Sequence, residues 1–325
     1  MTTPTTARYL LAALLLAQAP AAIAAADEDE EAPPAAAHAP WSLSLATLVD
    51  QQSTRGFFGE LGYDLTRKTA VRFAAESISH TMTNPANFTS QGVAAGAAHD
   101  FARFRLDGAI GHWQNSDINS ANEARLGGTF NFAPWTAGLR LGYRRATFDP
   151  ITTTVTTPPA PQPQPAVARC DLNNTALGLD GRYQGRVWGG YLSATTYRYA
   201  DASCSFQFAD GSVLQQHLSR EQFAQLAAAQ AAQLTLAALH HIGRNEMLLD
   251  GYVDTGASWK HDDLVVSLDY SRLKEYFAGA SSNTYSVTGT ADLGEHAGVD
   301  CTLGYTQGGG ITDGGFVGFA VRAKF

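Results

Sequence analysis

The chain contains little cysteine and little charge, and after its first 26 residues it has no apolar run long enough for a membrane-spanning helix. Three cysteines among 325 residues permit at most one intramolecular disulfide, which excludes a framework of several. Only 16% of the residues are charged, and the excess of acids gives a formal net charge of -8. Because a negative chain repels phosphate backbones, this balance argues against nucleic acid as a partner.

The first 26 residues have the pattern of a signal peptide. Arg8 precedes the apolar run YLLAALLLAQAPAAIAAA, which closes on small residues suited to cleavage after Ala24 or Ala26. Residues 27–40, DEDEEAPPAAAHAP, form an acidic, proline- and alanine-rich periplasmic segment that we expect to be disordered. An exported chain without a later spanning helix is periplasmic, secreted or an outer-membrane β-barrel.

Alternating apolar and polar positions dominate the chain from Trp41 onward. Successive side chains of a strand point to opposite faces, so such segments predict β-strands with one apolar face. Long polar connections alternate with tight turns, which is the loop pattern of an up-and-down barrel. Fourteen strands are predicted, near residues 41–49, 59–65, 70–80, 93–100, 104–113, 125–132, 136–147, 175–183, 187–199, 247–260, 264–274, 284–293, 298–306 and 316–325.

The closing residues, FVGFAVRAKF, place Val317, Phe319 and Val321 on one face of a strand and Arg322 on the other, and they end in Phe325. With the signal peptide and the alternating connections, this strand resembles the last strand of bacterial outer-membrane β-barrel proteins of the porin type. The resemblance covers residues 41–325. It implies an all-β, transmembrane, antiparallel up-and-down barrel in the bacterial outer membrane, in contact with lipid. It also implies that the barrel-insertion machinery recognises the strand that ends in Phe325.

Two long connections have compositions of their own. Residues 150–166, PITTTVTTPPAPQPQPA, are rich in proline and threonine and predict a mobile surface loop rather than a strand. Residues 219–239 begin with a capping box of Ser219 and Gln222 and continue through alanine and leucine, which predicts a helix in a long outer loop. This helix either packs on the barrel rim or folds into the mouth. A strand at 233–242 would instead add a hairpin and give sixteen strands.

Charged side chains fall on the face that would line the lumen. Arginines concentrate on the first eight strands and aspartates on later ones, and walls of opposite charge would create a transverse field in a water-filled pore. Alternatively, the charges pair across neighbouring strands and close a narrow barrel. Fourteen strands favour an open lumen, because side chains fill the interior of a barrel only up to about eight strands. The predicted pore-lining residues are Arg72, Arg105, Arg125, Arg140, Arg144, Arg182, Asp250, Asp254, Asp269, Asp292 and Arg322.

The resemblance implies a channel for passive diffusion of small hydrophilic solutes, with no cofactor and no enzymatic activity. A closed structural or surface-binding barrel whose long loops engage a partner is one alternative. A lipid hydrolase or acyltransferase at the outer rim is another, with His112 as the best candidate base because Ser116 and Asp117 follow it. The adjacent His240 and His241 cannot both face one metal ion on a regular strand, so no metal site is predicted.

Two of the three cysteines can be joined by a disulfide. Cys170 and Cys204 lie in the two longest outer connections, and a bond between them would tie one connection to the other if the geometry allows it. Cys301 alternates with polar positions in the manner of Val299 and Leu303, so we expect it on the lipid face as a small apolar residue.

Overall fold

The computed structural model describes residues 40–51, 54–80, 88–115, 119–155, 164–233, 249–276, 281–308 and 314–325. The predicted signal peptide, 1–26, and nearly all of the 27–40 segment lie outside these residues. In the described part of the chain, sixteen strands and one helix, α1 (Arg220–Gln233), follow in order. The strands are β1 Trp41–Asp50, β2 Thr54–Thr66, β3 Thr69–His80, β4 Phe88–Asp100, β5 Phe104–Asn115, β6 Asn119–Phe132, β7 Trp135–Val155, β8 Gln164–Gln184, β9 Trp188–Tyr199, β10 Ala202–Phe208, β11 Val213–Leu218, β12 Leu249–His261, β13 Leu264–Glu275, β14 Ser281–Asp292, β15 Ala297–Gly308 and β16 Gly314–Lys324.

Fourteen of these strands close into an antiparallel barrel. Strands β1 to β9 pair in chain order, β12 pairs with β9, and the ring closes where β1 pairs with β16. At this seam Leu45 lies opposite Val321, and Trp41 and Phe325 exchange backbone hydrogen bonds of 3.1 and 3.0 Å. The predicted fold class and the count of fourteen barrel strands are therefore confirmed.

Short turns connect the strands at the end of the barrel that holds Phe325, and the longer connections leave from the opposite end. The β2–β3 turn is closed by Thr66, whose hydroxyl accepts hydrogen bonds from the backbone N–H groups of Lys68 and Thr69 at 3.1 and 3.0 Å. Asp262 in the β12–β13 turn has a φ of 49°, a left-handed conformation that aspartate tolerates better than most residues. The predicted alternation of long and short connections holds only in part. After β1 and after β5 the connection at the outer end has three residues, as many as the β4–β5 and β8–β9 turns, because the flanking strands extend into the predicted loops.

The outer surface of the barrel carries an apolar belt. On β7 the exposed side chains of Leu139, Leu141 and Tyr143 alternate with inward-facing residues, and Trp135 ends the belt near the short turn. From Trp135 to Tyr143 the belt covers nine residues, the length expected for a strand that crosses a bilayer. The closing strand contributes exposed Val317, Phe319 and Val321 on the same surface, and Cys301 is exposed there as well.

The prediction of a surface loop over 150–166 is wrong at both ends. β7 continues to Val155 and β8 begins at Gln164, so each has 21 residues, whereas the other barrel strands have 10 to 14. Threonine is β-branched and favours a strand. In this segment its strand propensity has more effect than the tendency of proline to interrupt strands. The register shifts between Phe148 and Ile151, the interval that contains Pro150, so the missing proline N–H falls in an irregularity of the ladder.

The connection after β9 is also more structured than a single long loop. Strand β10 pairs with the upper part of β8, and β11 pairs with β10, which adds two strands to the sheet without entering the ring. We call this raised part of the wall the outer extension: Thr147–Val155, Gln164–Leu172, β10 and β11. The sixteen-strand alternative depended on residues 233–242, of which Gln233 is helical and 234–242 lie outside the described residues.

The predicted helix is confirmed as α1, although residues 234–239 of the predicted range lie outside the described part of the chain. Its capping box forms: Gln222 Oε1 accepts a hydrogen bond from Ser219 N–H at 2.9 Å, and Ser219 Oγ accepts one from Gln222 N–H at 3.4 Å. Phe223 is fully buried against Phe148 of β7, with ring centroids 5.0 Å apart. The helix therefore packs on the inner side of the outer extension. It is not long and apolar enough to cross a membrane.

Candidate functional site

The lumen contains a cavity of about 970 Å³ against strands β2 to β9. Its space comes from small side chains, because along a row of residues paired across these strands two glycines and two alanines separate the large residues. Glycine and alanine leave the volume that longer side chains would fill. The row is Arg72, Gly96, Ala109, Arg125, Gly142, Ala176 and Tyr197.

All six arginines predicted to line the pore border this cavity, and they lie on β3, β5, β6, β7 and β8. We call the inward-facing surface of these strands and of β4 the arginine wall. The structure thus brings the arginines together. It places the other predicted residues on the opposite side of the ring, on β12, β13, β14 and β16. The six arginines are Arg72, Arg105, Arg125, Arg140, Arg144 and Arg182.

In three ion pairs of the arginine wall, the arginine side chain is more exposed than the carboxylate with which it pairs. The arginine side chains are 40%, 53% and 43% exposed, whereas their carboxylate partners are only 21%, 22% and 16% exposed. The guanidinium groups therefore face the water-filled space and the carboxylates are set into the wall, so the surface offers mainly hydrogen-bond donors. The pairs are Arg72–Glu60 at 3.4 Å, Arg125–Glu123 at 3.0 Å and Arg140–Asp180 at 3.0 Å.

Arg144 belongs to the wall itself. Its side chain is only 9% exposed, and its Nε and Nη2 atoms donate to Glu123 Oε2 at 3.1 and 2.5 Å. Glu123 therefore bridges Arg144 and the exposed Arg125. Arg105 is also largely enclosed, 3.6 Å from Asp100 at the end that carries the short turns. Of the predicted arginines, these two stabilise the wall more than they meet the lumen.

Tyrosines face the same cavity, and the sequence analysis missed them. Tyr197 of β9 and Tyr252 of β12 border it, with ring centroids 6.4 Å apart. Along β9 the inward positions Tyr191, Thr195 and Tyr197 alternate with outward ones such as Leu192. The period-two alternation of β9 is the sequence signal for these tyrosines, because it puts aromatic as well as charged residues on the inward face.

The opposite side of the lumen is rich in hydroxyl groups. We call the inward-facing surface of β13 to β15 the hydroxyl wall. Thr284 and Thr306 are joined by a hydrogen bond of 2.8 Å, and Thr288 and Thr302 by one of 2.9 Å. Asp269 is buried in this wall. Its carboxylate accepts hydrogen bonds from Tyr191 Oη at 2.8 Å and Ser267 Oγ at 2.9 Å.

The remaining predicted charges have local partners or neighbours. Arg322 of β16 lies 3.2 Å from Asp300 and 3.6 Å from Asp292. Asp254 lies opposite Ser193 in the ladder with β9. At the outer end of β12, Asp250 lies 3.0 Å from Arg220, the first residue of α1, so this predicted lumen residue ties the helix to the barrel.

The outer extension has a core of its own on its inner side. Cys170 and Cys204 face each other in the β8–β10 ladder and are joined by a disulfide, with Cα atoms 4.1 Å apart. On the outward face Asp171 lies 2.6 Å from Arg145. Burial raises the pKa of Asp171, but hydrogen bonds from Arg145 and Thr147 outweigh it, so the pKa lies below its ordinary value and the carboxylate stays charged.

His112, the candidate base of the rim-enzyme alternative, is exposed on the outer face of β5, where its Nδ1 lies 2.9 Å from Asn122 Oδ1. Ser116 and Asp117, and the pair His240 and His241, lie outside the described residues. Within the part of the chain that the structure describes, no group of three or more His, Cys, Asp or Glu side chains could hold a metal ion.

No family model matches the chain, and no curated protein matches it. Among solved structures it is similar to the CymD monoaromatic hydrocarbon channel, with a TM-score of 0.54 and 9% identity over 88% of both chains. It also matches the Pseudomonas putida toluene transporter TodX, with a TM-score of 0.48 and 9% identity over 87% of this chain and 88% of that one. The KdgM porin matches with a TM-score of 0.40 and 7% identity over 87% of this chain and 99% of that one.

These solved structures are outer-membrane β-barrel channels, and the similarity to CymD shows that the chain shares their barrel fold. The predicted resemblance to outer-membrane barrels of the porin type is therefore confirmed at the level of fold. At 9% identity it carries no information on the solute.

Proposed function

We propose that the protein is a channel of the bacterial outer membrane for the passive diffusion of small hydrophilic solutes. The observation that carries the proposal is the cavity of about 970 Å³ inside a closed ring of fourteen strands, lined by arginines and enclosed by an apolar belt. A barrel of fourteen strands is wide enough that its side chains leave part of the interior unfilled. Polar side chains inside and apolar ones outside are the arrangement of a pore in lipid.

The lumen of this channel is divided by charge, in the sense that one side presents guanidinium groups and the other presents hydroxyl groups with aspartates. The local ion pairs weaken the division, because Glu123 and Asp180 lie within the arginine wall and Glu60 lies beside it on β2. Exposure restores part of it, since the guanidinium groups are the more accessible partners. Such a surface slows small anions and dipolar solutes less than it slows cations.

The outer surface of the barrel is the part of the proposed channel that meets lipid and the barrel-insertion machinery. The apolar belt contacts outer-membrane lipid, with Trp135 and Tyr143 at its two borders on β7. The closing strand pairs with β1 and presents Val317, Phe319, Val321 and the terminal Phe325 outward, so the barrel-insertion machinery meets an aromatic, lipid-facing edge before the ring closes.

Planar-bilayer recording of the refolded mature protein tests this function. We expect discrete conductance steps that scale with salt concentration, because the lumen is a water-filled path. A folded barrel that inserts and gives no steps would contradict the proposal.

A closed surface-binding barrel is the second candidate, and the packing at the mouth favours it. Phe223 of α1 is buried against Phe148, and Arg220 binds Asp250 and lies 4.2 Å above the ring of Tyr276, so the helix is held at the outer end by several contacts. The same recording decides between the two. If the helix closes the mouth, conductance should be absent in the native protein and present after substitution of Phe223 by alanine.

A further inference from the structure

We infer that the outer surface of the barrel binds the phosphate groups of outer-leaflet lipid through Arg145, Arg198 and Arg272, which we call the outer arginines. The inference goes beyond the proposed conduction of solutes. It rests on the outer-membrane location of the barrel, and it does not depend on whether the lumen is open.

Each outer arginine lies directly beyond the outer end of the apolar belt on its own strand. Side chains of a strand alternate between lumen and lipid, and on these strands the outward-facing series is mainly apolar until it reaches the arginine. On β2 the series ends in the same way. The outward-facing series are Leu139, Leu141, Tyr143 and Arg145 on β7, Leu192, Ala194, Thr196 and Arg198 on β9, Leu264, Val266, Leu268, Tyr270 and Arg272 on β13, and Leu61, Gly59, Phe57 and Arg55 on β2.

The arginines follow this border from strand to strand although the strands are tilted. Arg198 lies in the ladder row of Tyr143, which is two residues nearer the short turns than Arg145. At the opposite border Trp188 is displaced by the same two residues from the row of Trp135. In a barrel of tilted strands, such a stagger keeps equivalent residues at one height. Both arginines therefore lie equally far from the tryptophans at the other end of the belt.

The outer arginines occupy every second strand of one arc of the barrel. The ring order in this arc is β7, β8, β9, β12 and β13. Neighbouring outer arginines are therefore two strand spacings apart, about 10 Å between backbones. Side chains as long as arginine can approach a common lipid headgroup over this distance.

This arc is basic, although the chain as a whole has a formal net charge of -8. Arg145 pairs with Asp171 on the neighbouring strand, yet its side chain is 57% exposed. Arg198 and Arg272 are also exposed, and the residues directly opposite them in the ladders are uncharged: Thr175, Val253 and Asn283. Positive charge beside the apolar belt complements anionic lipid headgroups.

Tyrosine hydroxyl groups mark the level of the headgroups. On β7 the hydroxyl of Tyr143 donates a hydrogen bond to Asn173 Oδ1 at 3.1 Å, and on β13 that of Tyr270 donates to Asn283 Oδ1 at 2.8 Å. A tyrosine at a membrane interface keeps its ring in apolar surroundings and its hydroxyl in polar ones. The next outward-facing residue on each of these strands is an outer arginine, so its guanidinium lies at the level of the headgroups.

Phosphate is the headgroup chemistry that arginine recognises best at such a surface. A guanidinium donates two parallel N–H bonds to phosphate oxygens and keeps its charge at any physiological pH. It also has five N–H donors, so the pair between Arg145 and Asp171 leaves donors for a second anion. The three outer arginines together form a binding surface for phosphorylated lipid.

Binding of lipid A, a phosphorylated glycolipid, to the refolded mature protein in detergent tests this site by native mass spectrometry. Diphosphorylated lipid A carries the proposed ligand, and lipid A without phosphate has the same sugars and acyl chains. We expect the diphosphorylated form to bind more tightly. Arg145→Gln, Arg198→Gln and Arg272→Gln should each raise its dissociation constant about fivefold, because a basic side chain at an anionic surface contributes about 1 kcal/mol. None of them should change the binding of the form without phosphate.

Arg322→Gln is the matched control. It removes the same charge from the same barrel but faces the lumen, where Arg322 lies 3.2 Å from Asp300, so the dissociation constant should stay within about twofold. Equal binding of the two lipid forms, or an equal effect of Arg322→Gln, would overturn the site and leave the channel function intact. Phosphate-dependent binding by a protein that gives no conductance steps would instead keep the site and overturn the channel function.

Discussion

The two sides of the lumen pair their inward-facing polar side chains in different ways. The arginine wall buries carboxylates and exposes the guanidinium groups that pair with them, as at Arg125 and Glu123. The hydroxyl wall pairs threonines with one another across β14 and β15, as at Thr284 and Thr306, and both residues are buried. On the arginine wall these pairs lie beside small residues that leave a large cavity.

The two walls differ in how far their polar side chains project into the lumen. Threonine side chains are short, and their mutual hydrogen bonds give this part of the hydroxyl wall a smooth surface. Arginine side chains are long, and between Arg72 and Arg125 the row contains only Gly96 and Ala109. In the proposed channel we expect solutes to contact the projecting donors of the arginine wall, whereas the hydroxyl wall mainly provides a polar boundary.

The largest effect is expected where the arginine wall depends on a buried pair. Arg144→Gln leaves the carboxylate of Glu123 without two charge-assisted hydrogen bonds in a poorly solvated position. We expect the free energy of unfolding to fall by about 3 kcal/mol, measured by urea unfolding in lipid vesicles.

Arg322→Gln provides the comparison from the other side of the ring. Its pair with Asp300 is more exposed, with an arginine side chain that is 32% accessible, so the cost should be about 1 kcal/mol or less. Equal losses for the two variants would show that Arg144 has no special role in the wall.

A smaller effect is expected on ion selectivity. The double variant Arg125→Gln with Arg140→Gln removes the two most exposed guanidinium groups of the three asymmetric pairs and leaves Glu123 and Asp180 in place. The lumen should become more permeable to cations, with the cation-to-anion permeability ratio rising on the order of threefold. Reversal potentials in a salt gradient measure this ratio. A ratio that does not change would place these arginines outside the conducting path.

Most of the barrel could be predicted from the sequence because strand alternation is a local property. On β7, Leu139 and Leu141 alternate with Arg140, and this pattern alone separates the lipid face from the lumen. The same reasoning placed the six arginines on the cavity side and Cys301 on the outer surface. The helix could also be predicted, since its capping box depends only on Ser219 and Gln222.

The outer extension could not be predicted in the same way. Whether Thr152 to Val155 continue β7 depends on a partner, and that partner is a segment of β8 that the sequence presents as a proline-rich loop. Likewise, β10 is stabilised by pairing with β8, with Cys204 opposite Cys170, although the two segments are 34 residues apart. Pairing between distant segments leaves no periodic signal beyond a few alternating residues.

The exposure of the guanidinium groups was equally beyond sequence reasoning. The sequence shows that Arg125 and Glu123 share a face, but the depth of each side chain depends on the small residues across β4 to β8. Arg125 lies opposite Gly142 on β7, and Arg144 lies two residues further along β7. For the same reason the side chain of Arg144 is 9% exposed and that of Arg125 is 53% exposed.

The central claim is that the arginine wall borders a water-filled conducting path, and thiol labelling during single-channel recording tests it most directly. Cysteine is introduced by Arg125→Cys in a Cys301→Ser background, because Cys301 is the exposed free thiol in the described part of the chain. A charged methanethiosulfonate reagent should then reduce the current in a discrete step. Val317→Cys, on the lipid face, should leave the current unchanged. A current that persists unaltered after Arg125→Cys has been labelled, as checked by mass, would contradict the account.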